Sequence, residues 1–316
     1  MDNTEELTRL EKILYPHLVN ERNRLIEDRI KFVHYTSSEN AVNIIKNKCL
    51  WMRNTTCMND YMEVDHGYKV VHDFFFTKRD GNGKHNFGLC ENLELLVQQA
   101  LKLFDANWLS FKTSIYISSL SEHEEKEDEL GRLSMWRAYG GSSGSTALIL
   151  NNPPITDGLN VFLHPARYSE EEVPIQLEIL LKALKENEGF LIGLDENILR
   201  AHIVLSLVFI IVSLKHAGFE EEKEWRIIYI PKLLVSNVEI EKSIETIGGV
   251  PQIVYKLPLD GKMIPNLNIS NMIDKVLIGP SNYPLAQLQA FGDLLLKIDI
   301  NPVKENLDIS RIPLRM

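Results

Sequence analysis

The stretch Lys31-Phe32-Val33-His34-Tyr35-Thr36-Ser37-Ser38-Glu39 changes secondary structure partway along, and that change sets the fold class. Lys31 to Tyr35 mixes aromatic and β-branched residues in a short run, which predicts a strand. Thr36-Ser37-Ser38-Glu39 then reads as a capping box, with the Thr36 hydroxyl taking a free amide and Glu39 folding back onto the cap. The helix that it opens would turn Ala41, Ile44 and Ile45 inward, and Leu50-Trp51-Met52 returns as a second strand. Before this stretch, Thr4 to about Asp28 is a charged amphipathic helix with Leu7, Leu10, Ile13 and Leu14 on one stripe, broken or kinked at Pro16.

Beyond it, short strands and helices interleave without a regular period. Helices are expected from Asn59-Asp60, near Leu93 to Phe104, over Met135 to Tyr139, after Ser169 with Glu172, and near Leu285 to Leu296. Strands are expected at Ser114 to Ser119, Thr146 to Leu150, Glu224 to Ile230 and Lys275 to Ile278. Asp80 to Lys84 is a turn-rich connection, and the acidic stretch Glu122 to Glu129 reads as a solvated loop. This irregular alternation favours α+β over a regular parallel sheet. It divides into an N-terminal helical segment, residues 1–30, and one domain over residues 31–316.

Composition narrows the function. With 316 residues and 44% apolar content, the chain can bury a large core without disulfides or metals. A net charge of -10 argues against nucleic-acid binding through a generally basic surface and leaves a local basic groove open. Three cysteines without a C-x-x-C pair make a poor disulfide framework and suit a reducing cytoplasm. The most apolar run, Ile203 to Leu214, is shorter than the roughly 20 residues a bilayer needs, so it predicts a buried core helix and no membrane span. No G-x-G-x-x-G follows a strand, and there is no P-loop, H-E-x-x-H or G-x-S-x-G; the nine histidines are scattered, so no metal site is expected. Gly140-Gly141-Ser142-Ser143-Gly144 reads as a flexible turn, with phosphate cradling as its alternative.

Four motifs in fixed order remain: His34-Tyr35-Thr36, Asn59-Asp60-Tyr61-Met62-Glu63, Trp136-Arg137-Ala138-Tyr139-Gly140, and Phe219 to Arg226. Together with Ile278-Gly279-Pro280 and the Ser310 to Arg315 tail, they resemble a widespread bacterial family of unassigned function. That family is in turn similar to a divergent branch of the ADP-ribosyltransferase superfamily. The resemblance implies a split β core with surrounding helices, holding NAD in a cleft as substrate. It implies that His34 and Thr36 hold the adenosine-side ribose with Tyr35 beside them, and that Ser118 or Ser119 shapes the nicotinamide pocket. Glu224 would be catalytic, and Glu222 with Glu224 looks like the E-x-E pair of the arginine-modifying branch, which begins with arginine where this chain has His34. Trp136 and Tyr139 are the candidates for a stacking aromatic. The implied activity is ADP-ribosyl transfer to a protein or nucleic acid, or NAD glycohydrolysis, as suits a toxin, a phage-defence effector or a regulatory modifier.

The chemistry of the residues agrees. Releasing nicotinamide builds positive charge on the ribose, as in glycoside hydrolysis, and a fixed carboxylate stabilises that charge. Alternate strand residues share a face, so Glu222, Glu224 and Arg226 are expected to point one way, with Trp225 and Ile227 toward the core. Each residue also has a plainer role: Thr36 as helix cap, His34 as a bonded core histidine, Trp136 and Tyr139 as core, Glu220 to Glu224 as a solvated run, Arg226 as the partner of Glu224. A catalytically silent nucleotide-sensing or protein-binding module therefore stands as the alternative, and the two differ in whether His34, Ser118 and Glu224 meet in one cleft.

Overall fold

The structure, a computed structural model, describes residues 3–58, 62–77, 86–141, 144–151, 160–231 and 239–313. Its strands are β1 (Lys31–Ser37), β2 (Cys49–Asn54), β3 (Tyr116–His123), β4 (Ser145–Leu150) and β5 (Val161–Pro165), then β6 (Glu224–Tyr229), β7 (Glu241–Ile247), β8 (Val250–Pro258), β9 (Ile273–Ile278) and β10 (Leu307–Ile309). The helices are α1 (Asn3–Leu14), α2 (Pro16–Glu27), α3 (Ser38–Asn47), α4 (Met62–His72), α5 (Glu91–Ala106) and α6 (Trp108–Lys112). They continue as α7 (Leu133–Tyr139), α8 (Glu172–Glu186), α9 (Glu188–Leu191), α10 (Glu196–Ser213), α11 (Ile269–Met272) and α12 (Pro284–Leu296). This is an α+β arrangement.

The ten strands among the described residues join one mixed sheet in the order β10-β9-β4-β1-β3-β2-β8-β7, with β6 on β3 and β5 on β6. The branch at β3 shapes everything near the candidate site. Along one edge of β3, β6 pairs from Tyr116↔Tyr229 to Ser121↔Glu224. Along the opposite edge, β2 takes the first residues (Asn54↔Tyr116) and β1 the last (Val33↔Ser121). The sheet therefore forks, because β1 and β2 share an edge of β3 without pairing with each other.

Helices cover both faces. On one, Ile117, Phe162 and Ile228 pack under α1, α4, α5, α8 and α10; on the other, Leu120, Trp225 and Ile227 pack toward α3 and α12. Among the described residues α10 is the one helix long and apolar enough to cross a membrane, and Ile203 to Phe209 lie buried inside the first cluster. The N-terminal helices belong to the same core: Leu10, Ile13 and Leu18 are buried in it, and the Tyr15 hydroxyl sits 2.7 Å from Nδ1 of His202. Helices α1 and α2 thus contribute side chains to the same core as the sheet.

Several local expectations change. Ser37, not Thr36, caps α3, accepting from the Asn40 amide at 3.2 Å, so β1 runs two residues past Tyr35. Leu7 is exposed while Leu10 and Leu14 are buried, and α8 begins without a side-chain cap from Ser169. The acidic stretch is not uniformly solvated: Glu122 and His123 finish β3, and Glu127 is buried against Arg132 at 2.9 Å. Burying that carboxylate is tolerable because a guanidinium meets it. The hairpin β7–β8, absent from the sequence reading, turns at Gly248 (φ 59°) and Gly249 (φ 81°), a left-handed pair suited to a tight turn. The Asn59-Asp60 cap, the Asp80 to Lys84 turn, Ser142-Ser143 and the last residues of the tail lie outside the described residues.

Candidate functional site

The site begins where the apolar helix ends. After Ser213 the chain leaves α10, and Lys215 is only 6% exposed. A buried ammonium must find carboxylates or lose its charge. The chain then runs through a tight turn, Ala217–Glu222, passes Lys223 in the left-handed region (φ 45°), and enters β6 at Glu224. That turn brings both carboxylates onto one amine: Lys215 Nζ donates to Glu222 at 2.6 Å and to Glu224 at 2.7 Å. Glu222 and Glu224 therefore meet, but not by strand alternation as expected, since Glu222 precedes the strand.

Glu224 is 4% exposed and held on every side. Arg226 donates to it from Nε at 3.2 Å, the Ser119 hydroxyl donates across β3–β6, and its backbone amide donates to the Tyr168 hydroxyl at 2.6 Å. Burial pushes its carboxyl up, but the charges and hydrogen bonds of Arg226 and Lys215 outweigh that and hold it down at about 2. Tyr139, at the end of α7, donates its hydroxyl to Glu222 at 3.0 Å, and burial followed by the nearby Glu222 charge pushes the phenol well up. Phe219, 40% exposed, places its ring 5.1 Å from the Lys215 ammonium. Two carboxylates and two cations balance, so the cluster is a neutral network in a dry setting.

Arg132 supports the turn from behind. It donates to the Glu221 carbonyl at 2.6 Å and the Glu222 carbonyl at 3.0 Å, while its own amide donates to the Tyr35 hydroxyl at 2.9 Å. Tyr35 thus acts on the cluster through Arg132 from within the core, 5% exposed, with its ring edge-on to Trp136 at 4.8 Å. Trp136 has no exposed surface, and a side chain at Gly131 or Gly279 would collide with its ring at 2.5 Å or 2.7 Å. It is a core residue, not a stacking platform.

The convergence of His34, Ser118 and Glu224 on one cleft does not occur. Pairing of Ser121 with both Val33 and Glu224, and of Ser119 with Arg226, puts Val33, Tyr35, Ser119, Ser121, Glu224 and Arg226 on one face. His34, Thr36, Ser118, Leu120 and Ile227 fall on the other. His34 Nδ1 reaches the Ser119 carbonyl at 2.9 Å across the fork, where a backbone amide from a neighbouring strand would otherwise sit. Burial pushes its ring below the ordinary histidine value, so it is neutral. Its ring lines an apolar cavity of about 50 Å³ among Leu50, Leu120, Leu148, Leu257 and Ile227. Thr36 is buried and accepts from the Asn40 side chain at 3.3 Å, and Ser118 is buried opposite Ile227.

Of the residues singled out from sequence, the structure brings together Ser119, Tyr139, Glu222, Glu224 and Arg226. Sequence reading missed Lys215, Tyr168 and Arg132. Lys215 carried a usable signal: it is the first charge after a long apolar run, and a lysine there is drawn inward with the helix. Among the described residues no group of three or more His, Cys, Asp or Glu is placed to hold a metal.

Compared with known proteins, residues 135–227 match a family described as a protein of unknown function (DUF2971). The matched stretch runs from α7 into β6 and carries Tyr139, Tyr168, Lys215, Glu222, Glu224 and Arg226. No curated protein and no solved structure matches the chain.

Proposed function

We propose that the protein consumes NAD, transferring ADP-ribose to a macromolecule or hydrolysing the same bond, at the cluster of Glu222, Glu224, Ser119 and Tyr139. The observation that carries this is the pairing of a serine-bearing strand with the glutamate strand, Ser119 donating to Glu224 while Glu222 shares the same lysine. A forked β core is also what an ADP-ribosyltransferase-like fold would supply. In this mechanism Glu224, ionised and immobile, faces the ribose as its bond to nicotinamide breaks and positive charge grows on the sugar. The attacking oxygen or nitrogen of the acceptor, or water, forms the new bond and passes its proton to Glu222. Lys215 donates to both carboxylates and Arg226 to Glu224, which offsets the repulsion between the two.

The criterion of convergence favours the alternative, a catalytically silent module on this fold, since His34 and Ser118 lie on the far face from Glu224 and Glu224 is already neutralised by two cations. Incubation with NAD labelled in the adenylate, with nicotinamide release and label transfer followed separately, decides between them. Release or transfer that disappears in Glu224→Gln supports the enzyme. Wild-type protein that does neither, while still binding NAD in equilibrium dialysis, supports the silent module.

A further inference from the structure

A second cavity, about 30 Å³, lies where α1 gives way to α2, against the end of β5, α8 and α10. A water needs roughly 10–15 Å³ of such space, so this one has room for a small polyatomic group. Into its lining the fold brings Arg167, His17, His164 and Gln176 beside apolar side chains. Arg167 is 8% exposed, and its Nε is buried with no hydrogen-bond partner among the described residues. Its ion pair to Glu172 is long at 3.6 Å and that carboxylate is half exposed. Glu21 also acts on Arg167 through space but is itself bonded to Arg24 at 2.9 Å. A buried guanidinium with an unanswered donor is costly, and a bound anion repays that cost. The two imidazoles do not compete for the anion as cations: burial pushes His17 down to about 4 and His164 to about 3, each lowered further by Arg167.

We propose that this cavity binds a small anion, a phosphate or carboxylate group, on the Arg167 guanidinium with the Gln176 amide as second donor. Glu172 and Gln176 stand one helical turn apart on α8, so an anion beside Gln176 reaches the side of Arg167 that Glu172 leaves open.

The test is thermal unfolding of the full chain titrated with inorganic phosphate, or with acetate, against chloride at constant ionic strength. A saturating rise of about 5 °C is expected with the anion that fits, and comparing the two arms separates phosphate from carboxylate. Because Arg167→Gln risks the fold, the decisive variant is Gln176→Glu, which supplies a carboxylate from within. It should leave the circular dichroism spectrum unchanged and abolish the anion-dependent rise. Absence of a saturating rise with either anion in the wild type, or an equal rise in Gln176→Glu, overturns the proposal.

Discussion

The two faces of the β3–β6 pair are both buried, yet they hold different chemistry. One carries Ser119, Ser121, Glu224 and Arg226 and continues into Lys215 and Glu222; the other carries Leu120, Trp225 and Ile227 and opens on the cavity beside His34. On the charged face every ionic group that the cluster uses is answered by another. On the apolar face His34 is, among the described residues, the one polar side chain lining the cavity, and it is spent on a backbone carbonyl. Motif order along a chain therefore does not locate a site. Tyr35 and His34 are neighbours in sequence, and one residue of strand parity sends them to opposite sides of the sheet.

Lys215→Met tests the charged face most severely. It leaves Glu224 with Arg226 and Glu222 with only the Tyr139 hydroxyl, and breaking such a buried network costs about 3–5 kcal/mol. Urea unfolding measures this; a loss below about 1 kcal/mol would mean that Lys215 is not the hub.

Glu224→Gln should abolish nicotinamide release, at least about a hundredfold. It also predicts a specific acid response. The folded carboxyl titrates near about 2, below its ordinary value, so the unfolded chain takes up its proton first as pH falls. Stability from this group is fully present above the ordinary carboxylate range and is lost as pH drops through the folded value. Wild type minus Glu224→Gln should therefore shrink by on the order of 3 kcal/mol between about pH 4.5 and 2. A difference that stays flat across this window contradicts the paired carboxylate.

The apolar face is tested at His34. A role in holding NAD predicts that His34→Ala weakens NAD binding and spares the fold. The bond to Ser119 and the cavity wall predict the opposite: a loss of about 1–3 kcal/mol with NAD affinity unchanged. Isothermal titration alongside thermal unfolding distinguishes the two outcomes, and weakened affinity at unchanged melting temperature would return His34 to the site.

The smallest effect is expected at the turn between the faces. Lys223→Gly relieves a left-handed backbone worth about 1 kcal/mol but loses an exposed pair with Glu124, so stability should rise by less than about 1 kcal/mol. A fall instead of a rise, measured in the same urea series, would mean that Lys223 holds the cluster through its side chain.

Much of the local structure was legible. The apolar run of α10, the short α7 before Gly140, and β6 from Glu224 all follow from periodicity and breakers. The acidic run was not, because Glu127 looks identical to its solvated neighbours until Arg132 is known to face it. Glu222 and Glu224 were legible as a pair but for a different reason from the one that operates, since a left-handed lysine is invisible in composition.

Side chains close together along the chain place β1, β4, β6 and β9, the helices α5, α7 and α12, the burial of α10 and the carboxylates at the start of β6, whereas the β7–β8 hairpin left no such local signal. Only the tertiary structure decided that β3 forks between β1 and β2, that Lys215 joins Glu222 to Glu224, and that His34 faces away from them. Those outcomes depend on strand register and on which edge of β3 each strand occupies, and a shift of one residue would reverse every face.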